Sequence, residues 1–306
     1  MTLAFISHPD CTLPELGDHH PESPRRLSAI EDQLLASGLE FALRRYDAPL
    51  ASREQLCRAH AASYVEEIFS TAPAEGSVWL DTSTSMVQHS LTAALRAAGA
   101  VVLGVDLALT GQTRAAFCSV RPPGHHAEYD QAMGFCLFNN VAIGAAHALH
   151  THALKRVAIL DFDAHHGNGI ESIFSDNPGV LYCSTFQHPC FPHRDNGQGS
   201  ANVIAVPLPA ESTGTEFRMA VEDRWLPALE QFRPELILIS AGFDAHIEDD
   251  MADLCLRESD FTWVTGFIYD CAERHAAGRI VSVLEGGYAL PALGRSVAAH
   301  LNALLG

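Results

Sequence analysis

Five short, largely apolar runs recur along the chain, and each ends abruptly in glycine, proline, aspartate or histidine before a helix-like stretch begins. Such alternation predicts an α/β fold. Because the runs are apolar on both faces, they are typical of strands in a parallel sheet that helices cover on both sides. The predicted strands are residues 114–120, 156–162, 179–186, 235–243 and 279–285.

The segments between these strands are rich in alanine and leucine at helical spacing. The predicted helices are residues 86–110, 139–152, 215–232, 258–277 and 290–305. The beginning of the chain is less regular, with an expected loop at 9–24 and a helix that begins near Ser23. Since no change of composition marks a linker, we predict a single domain over residues 1–306, with a mostly parallel central sheet.

The charge balance limits the possible partners. Lys and Arg total 19 against 37 Asp and Glu, a formal charge of −18 that opposes binding to nucleic acid and favours cationic substrates. The sequence shows no leader-like start and no run of about 18 uninterrupted apolar residues. We therefore expect a cytoplasmic protein without a membrane partner. The eight cysteines show no CxxC spacing and are expected mainly as small buried residues, with a reactive thiol as the alternative.

Polar motifs follow directly after four of the predicted strands: PPGHH, DFDAHHGN, FDAH and EGGY. In an open parallel sheet, ligands bind in the crevice beyond the carboxyl ends of the strands. These separate stretches are therefore expected to converge on one edge of the sheet and to form a functional site there.

Two carboxylates and an imidazole are spaced to share one face of an extended segment. Asp161, Asp163 and His165 lie at i, i+2 and i+4, which points all three side chains the same way. Carboxylates buried together need a cation or a shared proton to offset their charge. Asp244, after another strand, would complete a three-ligand metal site with Asp163 and His165. Zinc, iron(II), cobalt and manganese all fit these donors, and each aspartate taken alone could instead cap a helix.

Two histidines and a tyrosine are candidates for the chemistry beside this metal. His125 and His126 follow a rigid Pro-Pro-Gly turn, and their division of labour as acid and base depends on the acceptors that orient them, such as Asp161. Tyr288 follows a Gly-Gly turn, and its hydroxyl could polarise a carbonyl. The alternative is a tyrosine ring that packs at the sheet edge.

Taken together, RPPGHHAE, GFCLFNN, LDFDAHHGNG, SAGFDAH and LEGGY closely resemble the zinc-dependent histone deacetylase family, more its class II and bacterial amidohydrolase members than class I. The motifs are long, stand in family order and span nearly the whole chain. The resemblance implies the arginase-like deacetylase fold, with a narrow tunnel leading to one zinc ion. It also implies hydrolysis of N-acyl amides, with acetyl-lysine in peptides or proteins as the first expected substrate.

Motif by motif, the resemblance assigns roles to residues. The zinc ligands would be Asp163, His165 and Asp244. The catalytic residues would be His125, His126 and Tyr288, with His126 as the general base. The substrate would contact Gly134, Phe135, Phe191, Met251, Ser83 and Gly287. Arg26 resembles an arginine near the acetate exit, and the alternative is a solvated helix arginine.

The resemblance also implies one or two structural potassium ions. The first would lie against Asp161, Ser184 and Thr185, with the backbone of Asp163 and His165. The second would lie against Phe174, Asn177 and Val180.

Three positions separate this chain from some relatives. Asn168 stands where class I members have an aspartate. The amide of Asn168 would bias the second histidine of the pair, His126, less strongly toward its protonated form than an aspartate would. Met251 stands where polyamine-selective members have an acidic residue, and Ser83 stands in a loop that offers no obvious acidic clamp. The methionine at position 251 argues against polyamine specificity, although Asp249 and Asp250 stand close by.

Two alternatives stay open at this point: an acetylpolyamine amidohydrolase, and a silent module that binds acyl-lysine or a metabolite. An arginase-type hydrolase would need further ligands for two metals, and the adjacent histidines and the EGGY motif argue against it. The expected assembly is a monomer or a weak homo-oligomer.

Overall fold

An eight-stranded sheet, parallel at every pairing, lies at the centre of the computed structural model, which describes residues 3–17, 19–193 and 200–306. Its strands are β1 (Leu3–Ser7), β2 (Leu43–Asp47), β5 (Ala115–Cys118), β6 (Val157–Asp161), β7 (Val180–Gln187), β8 (Val203–Leu208), β9 (Leu236–Ala241) and β10 (Ile280–Leu284). A separate antiparallel hairpin consists of β3 (Ser77–Trp79) and β4 (Ser85–Val87). The order across the main sheet is β2-β1-β5-β10-β9-β6-β7-β8.

The five predicted strands are confirmed as β5, β6, β7, β9 and β10, which occupy the middle of the sheet. The three strands toward its edges were missed. Strand β2 carries exposed charged residues and β8 contains Pro207, as befits strands with an unpaired side. Strand β1 is buried but short, and its five residues lie at the start of the irregular region.

Ten α-helices surround the sheet within the described ranges. They are α1 (Arg25–Ser37), α2 (Arg53–Leu56), α3 (Ala62–Thr71), α4 (Ser90–Leu109), α5 (Asn140–Thr151), α6 (Asn168–Phe174), α7 (Gly214–Ala220), α8 (Leu226–Phe232), α9 (Glu258–His275) and α10 (Leu290–Leu305). The prediction of a helix from residue 86 was wrong, because Met86 belongs to β4 and the helix begins at Ser90. The predicted helix 215–232 is interrupted by a π-helical turn, Val221–Trp225, and the predicted loop 9–24 contains the 3₁₀ turn Pro9–Thr12.

Helices cover both faces of the sheet, as predicted. Space for α4 is left by Gly104, where an added Cβ would lie 2.8 Å from Val281 of β10. The next residue, Ser282, contacts His300 of α10 instead, with 2.9 Å between hydroxyl and imidazole. Since successive strand residues point to opposite faces, α4 and α10 lie on opposite sides of β10.

Helix α4 is long and apolar enough to cross a membrane by length and composition. However, most of the helix is buried within the protein. The helix packs against α5, β1, β5 and β10. It therefore serves as a core helix in this fold.

Candidate active site

Three potential metal ligands meet beyond the carboxyl ends of β6 and β9. Asp163 and His165 follow β6, and Asp244 follows β9, its neighbour in the sheet. All three side chains are buried, and one donor atom of each lies within 4.8 Å of the others. Nδ1 of His165 is 3.0 Å from Oδ1 of Asp163 and 3.1 Å from Oδ2 of Asp244. The structure thus brings together the three residues predicted to bind metal.

The electrostatics of this cluster are those of a cation site. Burial and the charge of Asp163 raise the pKa of Asp244. Burial also opposes charge on Asp163, but nearby His125 and the hydrogen bond with His165 hold the pKa of Asp163 below its usual range. Burial lowers the pKa of His165, but hydrogen bonds with the two carboxylates raise it well above its usual value. Positive charge is therefore stabilised between these carboxylates.

The backbone around the cluster leaves it the room that a metal site requires. A Cβ added at Gly242 would lie 2.1 Å from Oδ2 of Asp163. At Gly286 it would lie 2.1 Å from Oδ2 of Asp244. Two carboxylates and one imidazole, crowded together with no space for larger neighbours, fit a divalent metal with nitrogen and oxygen ligands, zinc included.

The two histidines of the Pro-Pro-Gly turn differ in their hydrogen-bond partners. Nδ1 of His125 is 3.1 Å from Oδ2 of Asp161, whereas Nδ1 of His126 is 2.8 Å from the side-chain oxygen of Asn168. Burial lowers the pKa of His125, but the carboxylates of Asp163 and Asp161 outweigh it and raise the pKa to about 10. Burial, together with repulsion from His125, lowers the pKa of His126 well below its usual value. One imidazole is thus charged and the other neutral.

Asn168 also fixes the tautomer of the neutral imidazole. Its side-chain nitrogen donates to Oε1 of Glu128 at 2.7 Å, so its oxygen must face His126. That oxygen accepts a hydrogen bond, which places the proton of His126 on Nδ1 and leaves Nε2 with a lone pair. His126 is therefore arranged as a proton acceptor.

A cavity of about 330 Å³ opens beside these groups. Its lining residues are Ser83, Pro123, His125, His126, Gly134, Phe135, Asp163, His165, Cys190, Phe191, His193, Met251, Gly286 and Tyr288. The ring of Phe191 stands perpendicular to that of His126, with 4.9 Å between centroids, and Phe135 lies edge-on to Tyr288 at 6.2 Å. Two aromatic rings thus form walls near the histidines and the tyrosine.

Five of the six predicted substrate-contacting residues line this cavity, and Gly287 does not. The carbonyl of Gly287 instead accepts a hydrogen bond from Nε of Arg26 at 2.7 Å. The hydroxyl of Ser83 accepts from the backbone N–H of Gly134 at 3.1 Å and donates to Asp81 at 3.0 Å, so it supports the adjacent wall. Sequence reasoning missed Cys190, His193 and Pro123, because no residue pattern distinguishes a lining loop from any other loop.

Arg26 is buried, so the alternative of a solvated helix arginine is wrong. It donates to the carbonyls of Gly287 and Glu285, and its guanidinium lies 4.8 Å from the ring centroid of Tyr288. Burial raises the pKa of Tyr288 well above its usual value, which keeps the phenol protonated and able to donate. The alternative of a tyrosine at the sheet edge is also wrong, because Tyr288 lines the cavity.

Two buried acids that sequence reasoning missed hold the site loops in place. Glu285 accepts hydrogen bonds from the backbone N–H groups of Gly124 (2.6 Å) and His125 (3.1 Å), and burial raises its pKa to about 7. Asp249 accepts from the backbone N–H of Tyr288 (2.6 Å) and from two further amides. The sequence carries one signal for Glu285, an acid at the end of an otherwise apolar strand.

The first predicted potassium site has an unsatisfied oxygen. Asp161 is fully buried and accepts a hydrogen bond from the hydroxyl of Tyr182 at 3.1 Å. The buried hydroxyl of Thr185 has no hydrogen-bond partner among the described residues. The hydroxyl of Ser184 lies 3.3 Å from Nδ1 of His166. A buried carboxylate and a buried, unpartnered hydroxyl among the predicted residues fit a monovalent cation.

The second predicted potassium site is occupied by protein. The carbonyl oxygens of Phe174, Asn177 and Val180 do converge, but all three accept hydrogen bonds from the side-chain nitrogen of Asn202, at 2.8, 3.1 and 2.9 Å. These residues, as placed, do not fit a second ion.

Another group of metal-type donors lies on α4, on α5 and at the residue that follows α5. Nε2 of His147 and of His152 lie 2.8 and 2.7 Å from Oδ1 of Asp106. Arg58 lies 2.9 Å from Nδ1 of His147, and since a guanidinium can only donate, Nε2 carries the proton and donates to Asp106. Hydrogen bonds therefore satisfy this cluster, and the adjacent guanidinium opposes a metal ion.

Comparison with known proteins finds relatives that match over nearly the whole chain. The model of the histone deacetylase domain matches residues 20–304. An uncharacterised Synechocystis protein is 39% identical over 95% of both chains. The histone deacetylase-like amidohydrolase of Pseudomonas aeruginosa is 38% identical over 94% of this chain and 78% of its own length.

Two further comparisons extend to a eukaryotic enzyme and a solved structure. The human polyamine deacetylase HDAC10 is 36% identical over the whole chain, which spans 48% of that protein. The crystal structure of the HDA15 HD domain superimposes with a TM-score of 0.91 at 29% identity, covering 99% of this chain and 88% of that one. The fold is that of this domain, as predicted.

Proposed function

The chain belongs to the histone deacetylase family and has its deacetylase, amide-hydrolysing activity, and from that premise we propose that it is a zinc enzyme acting on acyl-lysine side chains in peptides or proteins. The observation that carries the proposal is the buried cluster of Asp163, His165 and Asp244, of which Asp163 and His165 line a cavity with aromatic walls. A linear acylated amine fits such a cavity, because apolar rings can enclose its methylene chain.

Zinc held by these three residues would supply electrophilic polarisation of the acyl carbonyl and acidify water. The side chains around it have matching proton states. Neutral His126, with the lone pair of Nε2 available, accepts a proton from the attacking water, while charged His125 stays paired with Asp161. Protonated Tyr288 donates to the developing oxyanion, and His126 then returns its proton to the leaving amine.

The tunnel and the ion sites complete the proposal. Phe135 and Phe191 would enclose the acyl-lysine stem, and the carbonyl of Gly134 would accept the substrate amide N–H. Arg26 would lie beside the acetate exit. A single potassium ion would lie at Asp161, Ser184 and Thr185, where it would neutralise the carboxylate that supports His125.

We also propose that residues 1–306 act as one domain in the cytoplasm, as a monomer or weak homo-oligomer. The charge of −18 supports the absence of nucleic-acid partners, and the burial of α4 supports the absence of membrane partners.

An acetylated polyamine is the second candidate substrate, favoured by the similarity to HDAC10 and by the negative charge. Met251 on the cavity wall opposes it, because a thioether offers no charge to pair with the distal ammonium of a polyamine.

The test is acetate release from an acetyl-lysine peptide and an acetylated polyamine, measured side by side with zinc-loaded protein, with and without a chelator. We expect chelator-sensitive release that favours the peptide. Met251→Glu should shift the kcat/KM ratio toward the polyamine, whereas Met219→Glu, at an exposed methionine, should leave it unchanged.

Each other outcome has a distinct meaning. Release that favours the polyamine in the wild type would refute the substrate assignment and keep the chemistry. No release of any acyl group, with ligand binding equal in the wild type and in Tyr288→Phe, would indicate a silent binding module.

A further inference from the structure

Three backbone carbonyl oxygens converge on one point beside the start of β7. They belong to Phe174 at the end of α6, Asn177 in the following turn and Val180 at the first position of β7. The side-chain nitrogen of Asn202 lies at that point, 2.8, 3.1 and 2.9 Å from the three oxygens. Asn202 precedes β8, the neighbour of β7, and its own carbonyl accepts the backbone N–H of Tyr182 at 2.9 Å.

The carbonyl oxygens of Phe174 and Asn177 each also accept one backbone N–H, from Asn177 at 2.9 Å and from Val180 at 3.1 Å. The lone pairs that remain on the three converging oxygens favour a positive partner. They can only accept, so the point where they meet suits either a cation stripped of water or a group with several N–H donors. The amide of Asn202 brings two hydrogens to three oxygens, so one hydrogen is shared between two of them. Its orientation follows from the surroundings, because the side-chain oxygen turned inward would face three acceptors.

We propose that the amide of Asn202 takes the place of a monovalent cation in this cradle, so that the chain binds no potassium between Phe174, Asn177 and Val180. The cradle is then closed at every potassium concentration, and of the two predicted potassium sites the one at Asp161 is left to respond to the ion. This inference concerns the ion dependence of the fold and does not rest on the proposed deacylation.

In the competing arrangement, Asn202 is itself a ligand of the ion. If the amide rotated by half a turn, its oxygen could join the three carbonyls as a fourth ligand of a potassium ion. The two arrangements predict opposite effects when the side chain is removed. Truncation opens a vacant three-carbonyl site in the first case and removes a ligand in the second.

The experiment compares Asn202→Ala with the wild type in thermal unfolding, while potassium replaces tetramethylammonium at constant ionic strength. We expect the variant to have a lower Tm without potassium and to gain an additional, saturable, potassium-dependent rise in Tm that the wild type lacks. Asn302→Ala, at an exposed position of α10, should respond like the wild type.

Potassium dependence that weakens in Asn202→Ala, or that is unchanged, overturns the proposal. If this variant does not fold, crystals of the wild type grown with thallium(I) decide the question. Anomalous density between the three carbonyl oxygens would overturn the proposal, and its absence there supports the amide. Neither readout requires catalysis, so inactivity of the enzyme would leave both outcomes interpretable.

Discussion

His300 makes the stability of the protein depend on pH in a predictable direction. It lies in α10, fully buried, with Nδ1 2.6 Å from the hydroxyl of Thr265 and Nε2 2.9 Å from that of Ser282. The rings of Phe162 and Phe243 pack against it at 6.0 and 5.8 Å. Burial lowers the pKa of His300 to about 3, so the folded protein keeps this imidazole neutral.

The direction of this pH dependence follows from comparing the pKa of His300 in the unfolded and folded protein. In the unfolded chain the pKa of a histidine is about 6.5, so between about pH 6.5 and 3 the unfolded state binds a proton that the folded state does not. His300 therefore does not reduce the free energy of unfolding above pH 6.5, and it lowers that free energy by about 1.4 kcal/mol for each pH unit below 6.5. Between pH 7.5 and pH 5, His300 alone should cost about 2 kcal/mol of the free energy of unfolding.

The assay is urea denaturation of the wild type and of His300→Gln at pH 7.5 and at pH 5. The variant should be less stable at pH 7.5, because its core is disrupted, but its loss between the two pH values should be about 2 kcal/mol smaller. His150→Gln, at an exposed position of α5, should keep the wild-type loss. Equal losses in His300→Gln and the wild type would refute the reasoning, since buried His60 contributes alike to both.

Three further predictions concern the metal site and the tyrosine loop. Gly286→Ala should abolish zinc binding in equilibrium dialysis because its Cβ would strike Asp244, whereas Gly266→Ala, with nothing within 4 Å, should bind normally. A chelator should lower the Tm of zinc-loaded wild type and leave that of Gly286→Ala unchanged. Asp249→Ala should lower kcat about tenfold or more with little change in KM, because the amide of Tyr288 loses its acceptor. The same change made in Tyr288→Phe should cost little further activity, and an equal loss in both backgrounds would contradict that explanation.

The middle of the fold was predictable, because its strands are buried on both faces and read as continuous apolar runs. The edge strands were not predictable, because they are not buried throughout. Strand β2 exposes its arginines to solvent, and β8 pairs with β7 alone among the described strands. The hairpin that contains Met86 was missed because its strands are only three residues long. An alternation of apolar and polar residues cannot be recognised over so short a segment.

The convergence of Asp163, His165 and Asp244 was predictable from strand ends alone, because neighbouring parallel strands deliver their loops to the same edge. The hydrogen bonds that support the site loops were not predictable, because a bond from a side chain to a distant backbone group leaves no periodic pattern in the sequence. Glu285 reaches the amide of Gly124 across 161 positions, and Asn202 reaches the carbonyl of Phe174 across 28.

The role of Asn168 shows how such contacts change a functional conclusion. The sequence predicts only that an amide biases its histidine less toward protonation than a carboxylate would. In the structure, Glu128 binds the nitrogen of that amide and thereby turns its oxygen to His126. The proton of His126 is then fixed on Nδ1, and burial keeps the ring neutral. An amide thus orients a proton acceptor without charging it, which a carboxylate at position 168 would not do.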